Sequence, residues 1–154
     1  AKSFCSTPKT RGSSKNETFH HRRNEMPYYS TKSKAKLAQC TEGIQLVFNE
    51  VIRSWDNSVL TGHRDEETQT EKFEQNLSQV AWPDSKHNSI PSRAIDVAPY
   101  PIDWEATDEW IMFGGYVLGV AESLGIKLRW GGAWDGTRNK PGQFDDLGHF
   151  EEVD

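Results

Sequence analysis

The sequence is poor in cysteine and has no long apolar run. Cys5 and Cys40, the two cysteines among 154 residues, are too few and too far apart for a disulfide framework or a thiolate zinc site. Two unpaired thiols fit a chain folded in a reducing cytosol. No stretch approaches the roughly 18 apolar residues of a membrane-spanning helix. The charged N-terminal residues are not followed by the apolar segment of a secretory signal. The expectation is a chain made in the cytoplasm without a signal peptide, which something else must release if its substrate lies outside. Apolar residues are a modest 34%, yet six Trp and seven Phe let a core of few side chains be large in area. The length suits a single domain that needs no staples.

Charge is unevenly placed. Residues 1 to 36 hold nine Lys or Arg against two acids, and the remainder nine against twenty-one, for a net charge of −5. A basic segment on an acidic body fits either contact with an anionic surface such as the cell envelope or a solvated tail. The body is too acidic for a nucleic-acid groove. Residues 1–30, rich in Ser, Thr, Lys, Arg and Asn and without apolar periodicity, read as a basic flexible arm, with residues 31–154 as the domain. The adjacent His20 and His21 in that arm are not assigned a function.

Apolar residues from Leu37 to Ile52 recur at helical spacing, predicting one helix from Ser33 through Trp55. Ser58 to Thr61 reads as a short strand. Asp65 caps a second helix, from about Glu66 to Leu77, anchored by Phe73 and Leu77. A Trp-Pro loop leads to His87 in a turn-rich segment, then to a buried strand from Arg93 to Ala98. Cap candidates between Asp103 and Thr107 open a largely buried helix that Gly125 ends. Ile126, Leu128 and Trp130 alternate with Lys127 and Arg129, predicting a strand. A Gly-rich loop follows, then a last strand from about Gly148 to Glu152. Short strands with segregated helices predict an α+β fold: a small antiparallel or mixed sheet, helices packed on one side, and the site in a surface cleft.

Asp96, between Ile95 and Val97, is set to leave water, and burying a lone carboxylate is costly unless a cation compensates. His149 stands in a similar apolar setting near the C-terminus. His87 alone in a polar loop would be unremarkable, but two imidazoles and a carboxylate suit a catalytic zinc, which typically takes three protein ligands. Asp146, three residues before His149, would point to the opposite face of a regular strand. It can share the site only if Leu147-Gly148 bends the chain; it would then be placed to move protons. Arg64, where a strand gives way to a helix, can aim a guanidinium into a cleft; His63 beside it is the weaker candidate. Trp130 reads as core, and Trp134 is open to a role in the cleft wall.

These segments together resemble the zinc-dependent L-alanyl-D-glutamate endopeptidases of bacteriophage lysis, within the D-alanyl-D-alanine carboxypeptidases and dipeptidases of the vancomycin-resistance type. The likeness runs from about Ser33 to Val153, through KLAQCTEGIQLVFNEVI, VLTGHRDEETQ, WPDSKHNSIPSRAIDVAPYPIDW, GIKLRWGGAW and DDLGHFE. It implies His87, Asp96 and His149 as ligands of one zinc ion, Asp146 as general base and Arg64 as the stabilising cation. Ser85, preceding the ligand His, is implied to help shape the substrate pocket; Trp134, read from its place beside the Gly pair, is the other candidate substrate contact. Pro91 and Ser92 stand where relatives often carry Gly, and Ala133 where they often carry an acid. The resemblance implies hydrolysis of the L-Ala–D-Glu amide of the peptidoglycan stem peptide by an enzyme acting on the cell wall, and a monomer is the default expectation. A D-alanyl-D-alanine carboxypeptidase and a non-catalytic zinc-stabilised wall-binding module are the alternatives.

Overall fold

The computed structural model describes residues 26–154; Cys5, His20, His21 and most of the basic segment lie outside the described residues. The chain forms α1 (Thr31–Leu37), α2 (Glu42–Val51), β1 (Asn57–Thr61), α3 (Glu66–Glu74), β2 (Ala94–Pro99), α4 (Thr107–Ser123), β3 (Leu128–Trp130) and β4 (His149–Glu152). A single 3-10 turn, Lys86–Asn88, precedes β2. The four strands make one sheet in the order β1-β2-β4-β3, and every pairing is antiparallel. The expected α+β class is what the chain adopts.

Period-two alternation divides this sheet into two faces with different work. Ile95, Val97, Trp130 and Phe150 point to the side covered by α2 and α4 and join Ile44, Phe48, Phe113 and Val117 in one buried cluster. The Phe150 ring meets Phe48 edge-on at 5.5 Å and Phe113 at 6.2 Å. Asp96, Arg129, His149 and Glu151 come from the intervening positions, so they share the opposite face. Asp96 pairs with His149 across β2 and β4, and Arg129 with Glu151 across β3 and β4. An irregularity between Val59 and Thr61 shifts the β1 register, bringing Thr61 opposite Asp96.

Three expectations about the elements are corrected. The helix expected from Ser33 to Trp55 is two helices. Thr41 caps α2 by accepting the Ile44 N–H, and backbone bonds Thr41 N–H to Ser92 O and Ser92 N–H to Gln39 O tie the break to the loop before β2. The Gln45 side chain donates to the Cys40 carbonyl freed by that break. Phe73 and Leu77 do not anchor α3, since both are exposed. Its fully buried residue is Gln69, a polar side chain that periodicity cannot flag. Tyr29, placed in the arm by composition, belongs to the domain: it is buried, and its hydroxyl donates to Asn57 Oδ1 at 2.7 Å.

Candidate active site

His87, Asp96 and His149 arrive from the 3-10 turn, β2 and β4, and the structure brings them together. Asp96 Oδ1 lies 3.2 Å from His87 Nε2 and 3.0 Å from His149 Nδ1, and the two ring nitrogens are 3.3 Å apart. Each imidazole is fixed through its other nitrogen. His87 Nδ1–H donates to the Gly62 carbonyl at 2.7 Å. His149 Nε2–H donates to Glu151 Oε2 at 3.0 Å. A carbonyl can only accept, so His87 Nε2 is left with its lone pair facing the cluster; the Glu151 carboxylate leaves His149 Nδ1 in the same position. Lone pairs aimed at each other and at a carboxylate require a cation or a proton between them. The three residues form a group that can hold a metal ion.

The electrostatics agree. Burial pushes the Asp96 carboxyl up, but the charge of His87 and the bonds from His149 and His87 hold it well below the usual carboxylate range. Burial disfavours a charged His149, yet the bonds to Asp96 and Glu151 raise its pKa to about 9. Glu151 is desolvated as well, and its bonds from His149 and Arg129 bring it down to about 2.

Asp146 reaches this centre through the bend the sequence required. Leu147-Gly148 is a turn closed by the His149 N–H on the Asp146 carbonyl at 3.1 Å, and Asp146 N–H bonds Gly131 O at 3.0 Å. Gly131 is required here, and Gly148 is tightly enclosed. A Cβ on Gly131 would overlap the Asp146 backbone, and one on Gly148 would stand 3.1 Å from Val97 O and 3.2 Å from the Trp110 ring. The Asp146 carboxyl is raised, first by burial and then by the Asp96 charge, with His149, His87 and Arg64 pulling the other way.

Arg64 is buried and lines the same cleft. Its Nη2 donates to Asp96 Oδ2 at 3.1 Å and Nη1 to Gln69 Oε1 at 2.9 Å. The guanidinium therefore braces the carboxylate from the side opposite the imidazoles. Ser85 borders the cleft, and its hydroxyl accepts the His87 N–H at the start of the 3-10 turn. Trp134 sits half-buried in the wall, its ring 5.6 Å from that of His149 and stacked on Phe144. Trp130 is buried in the core and donates Nε1–H to Leu147 O. His63 is not among the residues lining the cleft. Sequence reasoning did not single out Glu151, Gln69 or the Gly62 carbonyl. Glu151 carried one usable signal: strand alternation puts it on the same face as His149.

The cleft holding these groups measures about 910 Å³, at the upper end of the range for small-molecule sites. Fold and site together define an α+β domain with a three-donor group able to hold a metal in a cleft, flanked by a second carboxylate and a buried arginine. The chain belongs to the phage L-alanyl-D-glutamate peptidase family, whose model matches residues 26–153, and is thus a peptidoglycan-cleaving peptidase. Among solved structures it resembles the Serratia marcescens L-Ala D-Glu endopeptidase ChiX, with a TM-score of 0.64 and 24% identity over 82% of this chain and 90% of that one, a likeness of fold. No curated protein matches the sequence.

Proposed function

We propose that the chain hydrolyses the L-Ala–D-Glu amide of the stem peptide with one zinc ion held by His87 Nε2, Asp96 Oδ1 and His149 Nδ1. The observation that carries this reading is the convergence of those three atoms with both imidazole tautomers already set. Their separations of 3.0 to 3.3 Å match the edge of about 3.3 Å that tetrahedral bonds of roughly 2.0–2.1 Å to zinc require. When bound, zinc supplies Lewis-acid polarisation of the substrate carbonyl and lowers the pKa of water.

The chain's own residues do the rest. Asp146, facing the cleft from the turn before His149, accepts the proton of the attacking water and returns it to the departing D-Glu amine. Burial and the Asp96 charge raise its carboxyl, which favours the first task, because a stronger base takes the water's proton more readily. Arg64 fixes Asp96 through Oδ2 and places a buried positive charge beside the carbonyl oxygen as negative charge develops there. Ser85 holds the 3-10 turn that presents His87 and shapes the pocket next to it. Trp134 covers one side of His149 and keeps water from the ring. The size of the cleft favours a segment of polymer over a free dipeptide. The enzyme works as a monomer on the cell wall after release from the cytoplasm, and the basic N-terminal segment contributes contact with the anionic envelope.

Mass spectrometry of purified peptidoglycan digested with and without a chelator tests the reading. Chelator-sensitive release of stem peptides beginning at D-Glu is expected. Loss of D-Ala alone would reassign the chain to carboxypeptidase chemistry. Absence of products from zinc-loaded protein would leave a wall-binding module.

A further inference from the structure

At one side of the cleft stands a tryptophan that neither the core nor the hydrolytic machinery uses. Trp104 is 68% exposed, yet its ring stacks on Trp110 with centroids 5.1 Å apart and planes 26° from parallel. Trp110 is itself buried and immobilised: its Nε1–H donates to the Asp103 carbonyl at 2.8 Å. The loop around Trp104 is pinned at both ends, by Tyr100 N–H on Asp56 O and by Ala106 N–H on Asp103 O. Between them, Glu105 N–H bonds Asp103 Oδ1 at 2.9 Å. An exposed indole on a fixed base is a pre-organised apolar surface, and a ligand that covers it pays little ordering entropy.

Position supplies the occupant. Trp104 and Trp110 line the same cleft as His87, Asp96 and Asp146. Trp110 packs against Gly148, at 3.2 Å from where a Cβ would stand, so the base of the stack abuts the turn that carries Asp146 and His149. In peptidoglycan the L-Ala amine is joined through a lactyl group to an N-acetylated amino sugar. That sugar lies about two residue lengths, roughly 7 Å, from the scissile carbonyl. A pyranose presents a face of C–H groups, whose slight positive charge suits the negative face of an indole.

We infer that the Trp104–Trp110 stack is a saccharide subsite, on which the amino sugar bearing the stem peptide lies against the exposed face of Trp104. This rests on the peptidase reading for the identity of the polymer, and it assigns the chain a preference for peptide still attached to glycan over free peptide.

The test compares wild type with Trp104→Ala and Trp104→Phe on two substrates of identical peptide sequence, one carrying the disaccharide and one capped by acetyl. The ratio of kcat/KM for glycan-linked over acetylated peptide is expected to fall tenfold or more in Trp104→Ala and to recover largely in Trp104→Phe, whose ring restores the platform. An unchanged ratio overturns the subsite, whether both rates fall together or neither moves. Binding of peptide-free glycan fragments, followed by NMR titration, separates the two readings. If wild type cleaves neither substrate but binds the fragments at least tenfold more tightly than Trp104→Ala, the peptidase reading fails and the subsite stands. If it cleaves both substrates but binds no fragment and shows no preference, the subsite fails and the peptidase stands.

Discussion

Glu151 offers the sharpest test of the proposed metal site, because it would act there through His149. Its Oε2 accepts the imidazole Nε2–H at 3.0 Å, and its Oε1 accepts from Arg129 Nε at 2.9 Å. Glutamine keeps the shape and an acceptor but removes the charge; alanine removes both. Carboxylates that orient a metal-ligating histidine contribute about 10- to 100-fold in metal affinity, or about 1.4–2.7 kcal/mol. The lower end is expected for Glu151→Gln and the upper for Glu151→Ala. The metal-free His149 has its pKa raised to about 9, and a metal must displace that proton, so wild-type affinity rises with pH until that value is passed. The same shift gives the metal-free fold stability that is complete below the ordinary histidine pKa and lost as pH rises through about 9. Each variant lowers the His149 pKa, leaving less proton to displace, so its deficit is partly masked at neutral pH and fully visible above the wild-type pKa. Competition against a chromophoric zinc chelator at both pH values measures it. Equal affinity of wild type and both variants at both pH values would refute the assignment of Glu151 as the orienting carboxylate.

Four further outcomes are expected. Asp146→Ala should keep its zinc by elemental analysis and lose about 10²- to 10⁴-fold in kcat; retained turnover would remove Asp146 as the base. Arg64→Met removes the partner of Asp96 Oδ2 and leaves Gln69 Oε1 only its longer bond from Asn88, so beyond any effect on rate it should cost about 1–3 kcal/mol in chemical denaturation, and an unmoved midpoint would show that the pair contributes little. Cys40 is buried, and burial, with the charges of Asp96 and Glu152, pushes its thiol up to about 12. Site-resolved alkylation at neutral pH should therefore modify Cys40 only after unfolding. On α4, a Cβ at Gly114 would overlap the Trp130 ring, whereas one at Gly115 meets nothing within 4 Å. Gly114→Ala should destabilise by at least about 1–3 kcal/mol and Gly115→Ala should stabilise by about 0.4–1 kcal/mol, a sign difference that thermal melts read directly.

Legibility in the sequence followed the physics of each signal. The strand at Ala94–Pro99, the Asp65 cap and the Gly125 stop at φ +71° were readable because each rests on local alternation, a side-chain bond or a backbone constraint. The break between α1 and α2 was not. Apolar spacing runs on through Cys40, and what stops the helix is Ser92, a residue far along the chain whose backbone competes for the same hydrogen bonds. Gln69 was invisible for the opposite reason: its burial is compensated by Arg64, Ser78 and Val80, and no local rule marks a polar side chain that tertiary partners will satisfy. Composition likewise assigned Tyr29 to the arm, since its value lies in long-range hydroxyl contacts with Asn57 and the Phe48 carbonyl and in core packing.

His87, Asp96 and His149 were singled out from the sequence and converge in the structure, whereas of the partners behind them only Arg64 was singled out. Asp96 between two β-branched neighbours and His149 beside Phe150 advertise their burial, and a buried acid with buried imidazoles calls for a cation. What turns three donors into a usable centre is the set of partners behind them: the Gly62 carbonyl for His87, Glu151 for His149, and Arg64 for Asp96. Of these, a backbone carbonyl has no sequence signature at all, and Glu151 in the run Phe150-Glu151-Glu152 looks like any acid near a terminus. Yet β4 alternates, and with Phe150 in the core, His149 and Glu151 must share the other face one pleat apart, a spacing at which carboxylate and imidazole can meet. The same alternation on β3 puts Arg129 opposite Glu151 while Leu128 and Trp130 face the helices. One period-two pattern thus fixes both the hydrophobic core and the polar layer that orients His149 and Asp96. A one-residue slip of β4 would carry His149 and Glu151 into the core and Phe150 into the cleft, so in this fold the register that stabilises the sheet is also the register that assembles the site.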